Sequence, residues 1–115
     1  MAFVNQAPKI VITGGSGFVG SHLLNHEAFQ EALAIGRTHP LNHRYFQMVS
    51  FDADDKLAEA FKDKQVVVHV AARAHIMSDT AKIPLDEFRH VNTVGTLNLA
   101  KQAAIAGVKR FIFIS

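Results

Sequence analysis

A glycine pattern near the start of the chain places the tightest limit on the fold. In residues 13–20 (TGGSGFVG) the glycines come directly after the β-branched run 9–13. They come directly before a segment whose apolar side chains recur with the period of a helix. In a strand–turn–helix unit, Gly14 allows the tight turn, Gly17 lets the backbone approach a bound phosphate, and Gly20 lets the helix pack closely on the strand. The pattern therefore predicts a loop that binds the pyrophosphate of a dinucleotide at the start of a helix.

The remainder of the chain alternates short apolar runs with helical patterns. Continuous apolar runs are typical of parallel strands that are covered on both faces by helices. Right-handed crossovers and a switch after the third strand give a Rossmann-type, doubly wound α/β sheet of order 3-2-1-4-5. At 115 residues the whole chain, 1–115, is expected to form one dinucleotide-binding domain. The predicted strands are 9–13, 32–36, 45–51, 65–72 and 110–115, and the predicted helices are 18–30, 54–61 and 84–107.

Local signals set the ends of these helices. Asp54 or Asp55 is expected to cap the second helix, because a carboxylate accepts a hydrogen bond from the unpaired N–H groups of the first turn. Gly107 is expected to end the third helix, since glycine is the usual residue just after a helix. The apolar positions of that third helix are Leu85, Phe88, Val91, Leu97, Leu99, Ala103 and Ile105.

Composition excludes several classes of protein. The twelve Lys and Arg residues are scattered and the net charge is only +2, so no nucleic-acid partner is expected. The chain has no cysteine, which excludes disulfides and thiolate metal sites and fits a cytoplasmic location. No apolar run is long enough to cross a bilayer, so no membrane association is expected. The glycine spacing also differs from the GxxxxGK[ST] phosphate loop, which argues against simple ATPase or GTPase chemistry.

Two histidine patterns resemble functional sites. His22 and His26 stand four residues apart on the first predicted helix, a spacing that can hold zinc. They have no obvious third ligand, so we expect surface histidines and no metal. His69 interrupts the apolar strand QVVVHVAA, and we expect a hydrogen-bonded structural residue rather than a catalytic one.

Four motifs give the sequence a family resemblance. They are TGGSGFVG, VVVHVAARAH, HVNTVGTLNLAKQAA and GVKRFIFIS, and together they run through residues 9–115. With these motifs the chain resembles the extended short-chain dehydrogenase/reductase family, in particular the NAD-dependent epimerases and dehydratases of the UDP-glucose 4-epimerase kind. The resemblance implies NAD as cofactor, a nucleotide sugar as substrate, and transient hydride transfer through the nicotinamide.

The resemblance also implies roles for individual residues. The phosphate loop is matched by Gly14, Gly17 and Gly20, with pyrophosphate contacts from the backbone N–H groups of Phe18 and Val19. Asp52 matches the aspartate that binds the adenine amino group, and Ala53 lies beside it. The strand end that lines the nicotinamide and its ribose is matched by Val70, Ala71 and Ala72. Asn92 matches the asparagine that helps to hold the active-site backbone and its water network.

The sequence departs from the family pattern in two places. The second strand ends in Gly36-Arg37, where the family has an acidic residue for the adenosine ribose of NAD. Arg37 can instead pair with the 2′-phosphate of NADP, or it can stack on adenine or lie in solvent, as in family members that use NAD without that acid. Both cofactors remain open, and the epimerase-like remainder of the sequence favours NAD. The only tyrosine, Tyr45, has no lysine four residues later, whereas the family's catalytic pair is Tyr-x-x-x-Lys.

These departures lead to three readings. The first is the cofactor-binding, N-terminal portion of an epimerase or dehydratase, truncated after the fifth strand and inactive by itself, with no catalytic residue of its own. The second is an NADP-dependent carbonyl reductase of the same family, and the third is a non-catalytic dinucleotide-binding module. With the sheet truncated after the fifth strand, residues 111–115 (FIFIS) form an uncharged edge, so we expect a homodimer or other edge-strand association.

Overall fold

The computed structural model describes the backbone of residues 9–70 and 85–114 and the side chains of residues 9–70 and 92–114. Strands and helices alternate along these residues. The strands are β1 (Ile10–Thr13), β2 (Leu33–Gly36), β3 (Phe46–Met48), β4 (Val66–Val70) and β5 (Arg110–Ile114), and the α-helices are α1 (Phe18–Leu24), α2 (Asp54–Phe61) and α3 (Leu85–Ile105). The strands form one five-stranded sheet in the order β3-β2-β1-β4-β5, and all neighbouring pairs are parallel. The predicted fold class and strand order are confirmed.

Alternation along the strands divides the apolar side chains between two layers. Val11 pairs with Val67 in register, and both side chains lie on the face covered by α2 and α3. Ile12 pairs with Val68, and both lie on the opposite face, where Leu24 of α1 packs. Because both faces of the central strands are covered, the strands are apolar at consecutive positions, as the sequence pattern indicated.

The first helix is shorter than the sequence predicted. It ends at Leu24 rather than near residue 30, and a separate 3₁₀ turn follows at Glu27–Phe29. His26 separates the two because its backbone is extended and its side chain accepts a hydrogen bond from the N–H of Ala28, 3.0 Å away. A side chain that caps the next turn competes with continuation of the helix, which apolar periodicity does not report.

The third strand and the second helix also differ from the prediction. β3 covers Phe46–Met48 instead of 45–51, because its partner β2 ends at Gly36, which pairs with Met48. The N-cap of α2 is Ala53, whose side chain makes no capping bond, and the predicted capping residues Asp54 and Asp55 lie inside the first turn. There their charges still favour the positive end of the helix dipole.

The predicted end of α3 at Gly107 is confirmed. Gly107 adopts a φ of +85°, and the N–H groups of Gly107 and Val108 donate to the carbonyls of Ala104 and Ala103 at 3.1 and 3.0 Å. This pair of bonds is the Schellman arrangement, which favours glycine because of the left-handed backbone.

Only part of the predicted apolar face of α3 is buried. Leu99 and Ala103 are buried in the core, but Leu97 is 64% exposed and Ile105 is 68% exposed. The apolar positions named from the sequence are therefore not all buried, since apolar character alone does not fix which side of a helix faces the core. The side chains of Leu85, Phe88 and Val91 lie outside the described residues. Among the described helices, none is both long and apolar enough to cross a membrane.

Candidate functional site

The carboxyl ends of the parallel strands open into a cavity of about 720 Å³. Ligands of open α/β sheets bind at this end of the strands, where the strand order reverses. The reversal here lies between β1 and β4. The lining residues come from the glycine loop, the end of β2, the β3–α2 connection, β4 and α3: Gly14, Gly15, Ser16, Ile35, Gly36, Arg37, Thr38, Val49, Ser50, Phe51, Asp52, Asp54, His69, Asn92, Val94, Gly95 and Asn98.

The glycine loop is packed too closely for side chains at two positions. Gly14 has a φ of +73°, and a Cβ atom there would lie 2.5 Å from the carbonyl oxygen of Val70. A Cβ atom on Gly20 would overlap the carbonyl oxygen of Gly14 and lie 2.8 Å from the Cα of Gly15. These contacts explain the tight turn at Gly14 and the close packing of α1 at Gly20 that the sequence predicted.

The start of α1 is arranged differently, because it leaves room and donors for an anion. Gly17 is the N-cap, no side chain caps the helix, and the first turn contains no acidic residue. Phe18 and Val19 belong to the first turn of α1, and the N–H groups of a first helical turn have no partner within the helix. A Cβ atom on Gly17 would have one protein neighbour within 4 Å, the carbonyl oxygen of Gly14 at 3.5 Å. The space beside Gly17 is therefore open.

The end of β2 brings a positive charge to the rim of the cavity. Gly36 has a φ of +151°, and the exposed Arg37 follows it. Since β2 neighbours β1 in the sheet, its carboxyl end lies beside the glycine loop. A guanidinium there presents several N–H donors to a phosphate or to the face of an aromatic base.

The β3–α2 connection is held in place by side-chain hydrogen bonds. Ser50 Oγ donates to Asp52 Oδ1 over 2.6 Å, which fixes one oxygen of a carboxylate on the cavity wall. Asn98 Nδ2, on α3, donates to the carbonyl oxygen of Phe51 at 2.7 Å and to Asp54 Oδ1 at 2.9 Å. These bonds tie the connection to α3 and leave Asp52 facing the cavity with acceptor capacity to spare.

His69 is buried at the inner end of the cavity, as expected for a structural residue. Its Nδ1 lies 2.6 Å from Thr13 Oγ1 and its Nε2 lies 2.8 Å from Thr96 Oγ1, and the residue is 4% exposed. Burial lowers the pKa of His69 to about 4, so the imidazole is neutral near pH 7.

The structure brings some of the predicted site residues together at the cavity and leaves others outside its lining. Gly14, Arg37, Asp52 and Asn92 line the cavity. The remaining described positions do not line it: Gly17, Phe18, Val19 and Gly20 lie at the start of α1, Ala53 caps α2, and Val70 packs against Gly14. Phe18 is 80% exposed, so its side chain is free for contacts outside this chain's core. Ala71 and Ala72 lie outside the described residues.

Sequence reasoning missed several lining residues on α3. Gly95 and Asn98 follow Asn92 at intervals of three residues, and all three line the cavity. Small or polar residues at this spacing lie on one face of a helix, so the periodicity was a usable signal. Ser50, Phe51 and Thr38 carried no such signal, because connections between elements have no repeat to read.

His22 of α1 and His26, which follows α1, each form a hydrogen bond with a nearby backbone group. His22 Nδ1 donates to the carbonyl oxygen of Phe18 at 2.8 Å, and the His26 side chain accepts from Ala28. Within the part of the chain that the structure describes, no three His, Cys, Asp or Glu residues are grouped closely enough to hold a metal ion.

Comparisons with known proteins agree with this geometry. The chain is 42% identical to the UDP-glucose 4-epimerase of Vibrio cholerae over 116 residues, which cover 96% of this chain and 35% of that protein. It is 28% identical to the dTDP-D-glucose 4,6-dehydratase of Mus musculus over 127 residues, which cover 95% of this chain and 35% of that protein. The chain thus spans about a third of the length of these curated relatives.

A solved structure and a family model extend the comparison. A short-chain dehydrogenase/reductase superfamily protein from Agrobacterium tumefaciens, crystallised with bound NAD, superposes with a TM-score of 0.70 at 26% identity. The superposition covers 90% of this chain and 31% of that one. The model of the NAD dependent epimerase/dehydratase family matches residues 10–115, nearly the whole chain. The chain therefore belongs to the NAD dependent epimerase/dehydratase family.

Proposed function

We propose that this chain binds the adenosine and pyrophosphate part of NAD in an enzyme that acts on a nucleotide sugar. The observation that carries the proposal is the cavity between the glycine loop and the Ser50–Asp52 segment, at the carboxyl ends of the strands. Its volume of about 720 Å³ lies within the roughly 300–1,000 Å³ of typical cofactor and ligand pockets.

The residues around the cavity fit the parts of the cofactor. The open space beside Gly17 and the unpaired N–H groups of the first turn of α1 suit a pyrophosphate. Asp52, with one oxygen held by Ser50, suits the amino group of adenine, because a carboxylate has two acceptor oxygens and N–H donors can reach the second one. Arg37 suits the adenosine ribose side, where it neighbours the end of β2. When bound, NAD supplies a nicotinamide ring that accepts and returns a hydride.

The substrate proposal for the whole protein rests on the relatives. The UDP-glucose 4-epimerase and the dTDP-D-glucose 4,6-dehydratase are 42% and 28% identical to this chain in the matched regions. We propose a nucleoside diphosphate sugar as the substrate class, with 4-epimerisation favoured over dehydration by the higher identity.

Residues 1–115 by themselves are proposed to bind without catalysing hydride transfer. The single tyrosine, Tyr45, directly precedes β3, at the amino end of the parallel sheet and so at the opposite edge from the cavity. It is therefore too distant to serve as the acid or base of a reaction in the cavity. Mixing these residues with NAD and a UDP-sugar should give no NADH absorbance and no epimer.

Calorimetry with NAD tests the binding proposal directly. We expect the unsubstituted chain, called the parent, to bind NAD. The Gly17→Val variant should bind NAD at least about tenfold more weakly, since the valine side chain fills the space proposed for the pyrophosphate. Gly107→Ala, just after the end of α3, is the control and should bind as the parent does, because Gly107 does not line the cavity and a Cβ there would meet none of the described residues beyond its own chain neighbours within 4 Å. A parent chain that does not bind NAD at millimolar concentration would overturn the proposal.

Arg37 decides the choice between NAD and NADP in this proposal. A guanidinium at the rim of the cavity can pair with a 2′-phosphate, which would favour NADP and the carbonyl reductase alternative. We propose NAD, following the family, with Arg37 stacked against adenine. Calorimetry of the parent and Arg37→Ala with both cofactors separates the cases, because NADP preference that vanishes in Arg37→Ala would contradict the choice of NAD.

Association through β5 is proposed for the 115-residue chain in solution. Among the described strands β5 pairs only with β4, and Ile112 and Phe113 are 45% and 51% exposed. Ile112→Lys places a charge on this edge and should shift the chain toward the monomer in light scattering, whereas Ile105→Lys on α3 should not. A parent chain that stays monomeric at high concentration would contradict the proposal.

A further inference from the structure

One row of side chains crosses the sheet beneath the cavity. Thr13 of β1 pairs in register with His69 of β4, which pairs in register with Phe113 of β5. The three side chains lie on the same face of the sheet, because residues paired in register on neighbouring strands project to the same side. That face is the one covered by α3, so the row lies between the sheet and this helix.

His69 connects strand β1 to helix α3 through two hydrogen bonds. Its Nδ1 lies 2.6 Å from the hydroxyl of Thr13, and its Nε2 lies 2.8 Å from the hydroxyl of Thr96 on α3. A neutral imidazole has one donor and one acceptor, and each hydroxyl can serve as either, so both bonds are satisfied at once. A protonated imidazole would have two donors and would change the direction of one of these bonds.

The two threonines are placed next to the walls of the cavity. Thr13 directly precedes Gly14, the first residue of the glycine loop, and Thr96 directly follows Gly95, one of the lining residues of α3. The bridge Thr13–His69–Thr96 therefore joins the glycine-loop wall to the α3 wall through a single side chain.

The surroundings of His69 keep the bridge rigid. The ring stacks on Phe113 with centroids 5.4 Å apart, and Phe51 meets it edge-on at 5.8 Å. The charged groups that line the same cavity are Arg37, Asp52 and Asp54. The two described hydrogen bonds of the imidazole are those to the threonine hydroxyls.

We propose that Thr13, His69 and Thr96 form a positioning bridge that holds α3 at a fixed distance from the glycine loop and thereby sets the affinity of the cavity for the dinucleotide. The proposal rests on the proposed function, because it assigns the cavity to a dinucleotide. It assigns His69 no contact with the reacting atoms. Its effect on the cofactor passes through the positions of Gly14 and Asn92 on the two walls.

Substitution of Thr96 separates this role from simple packing. Thr96→Val keeps the shape of the side chain and removes the hydroxyl, whereas Thr96→Ser keeps the hydroxyl. We expect Thr96→Val to weaken NAD binding about threefold to thirtyfold in calorimetry, the range typical of residues that couple sites without touching the ligand, and Thr96→Ser to restore it. Leu97→Ala, one residue away and 64% exposed, is the matched control and should bind as the parent does.

The state of the bridge has a spectroscopic readout that needs no cofactor. In ¹⁵N NMR of the imidazole, His69 should show a neutral ring from pH 8 to pH 5 in the parent and in Thr96→Ser. In Thr96→Val the Nε2 resonance should move, because its partner is gone. If Thr96→Val does not fold, Thr13→Val and Thr13→Ser carry the same comparison at the other end of the bridge.

The outcomes distinguish this inference from the proposed function. A parent chain that binds no NAD overturns the proposed function and the inference with it. If the parent binds NAD and Thr96→Val binds it equally well, only the inference is overturned. Equal losses in Thr96→Val and Thr96→Ser would also overturn it, since the hydroxyl would then have no special part.

Discussion

Replacing Gly20 with alanine tests how the glycine loop is built. In the structure a Cβ atom at position 20 would overlap the carbonyl oxygen of Gly14 and lie 2.6 Å from its carbonyl carbon and 2.8 Å from the Cα of Gly15. All three are backbone atoms, so no side-chain rotation relieves the contacts. The start of α1 and the glycine loop must then move apart by about 1 Å to reach ordinary carbon–carbon contact.

The size of the effect follows from two opposing terms. Forcing an extra methyl into a packed region costs about 1–3 kcal/mol, and the upper end applies because the backbone must move. Alanine is favoured over glycine inside a helix by about 1 kcal/mol. We therefore expect Gly20→Ala to lower the free energy of unfolding by about 2 kcal/mol, which corresponds to a fall in Tm of about 10 °C.

Urea and thermal unfolding followed by circular dichroism measure this change. Gly17→Ala is the matched control, because the new Cβ would meet the Gly14 carbonyl oxygen at an ordinary 3.5 Å and the φ of −84° suits alanine. It should cost less than about 1 kcal/mol of stability while still weakening NAD binding. Equal stabilities for Gly20→Ala and the parent would refute the packing argument. A Gly17→Ala chain as unstable as Gly20→Ala would refute the contrast between the two glycines.

Four further substitutions test the fold and its pH dependence. The pKa of His69 is about 4 in the folded chain and about 6.5 in the unfolded chain, so the unfolded chain binds the proton first as the pH falls. The free energy of unfolding should therefore fall by about 2 kcal/mol as the pH drops from 6.5 to 4. In His69→Phe the free energy of unfolding, measured by urea denaturation, should depend less on pH. An unchanged pH dependence in His69→Phe would contradict the role of His69. Gly107→Ala should cost about 1 kcal/mol because of the left-handed φ of +85°. Leu99→Ala should cost about 2–5 kcal/mol, and Leu97→Ala within about 0.5 kcal/mol, since only Leu99 is buried.

Features that depend on neighbouring residues could be predicted from the sequence. The β-branched run before Gly14 and the apolar period after Gly17 identify a strand–turn–helix because strand and helix leave different periods in the sequence. The sheet order followed from the same runs, since right-handed crossovers leave few ways to arrange parallel strands. The family resemblance then pointed to Arg37, Asp52 and Asn92, which the structure places around one cavity. The cofactor contacts assigned to these three residues and to the other predicted site residues all stay predictions.

Features that join distant parts of the chain were decided only by the tertiary structure. Thr13 and His69 are 56 residues apart, and His69 and Thr96 are 27 apart, so no local pattern links them. The hydrogen bond from Asn98 Nδ2 to the carbonyl oxygen of Phe51 joins residues 47 positions apart. Such pairs form because the sheet register and the packing of α3 bring them within hydrogen-bond distance. Periodicity identifies which side chains of an element share a face, but whether that face is buried and which partner it meets depend on how all the elements pack together.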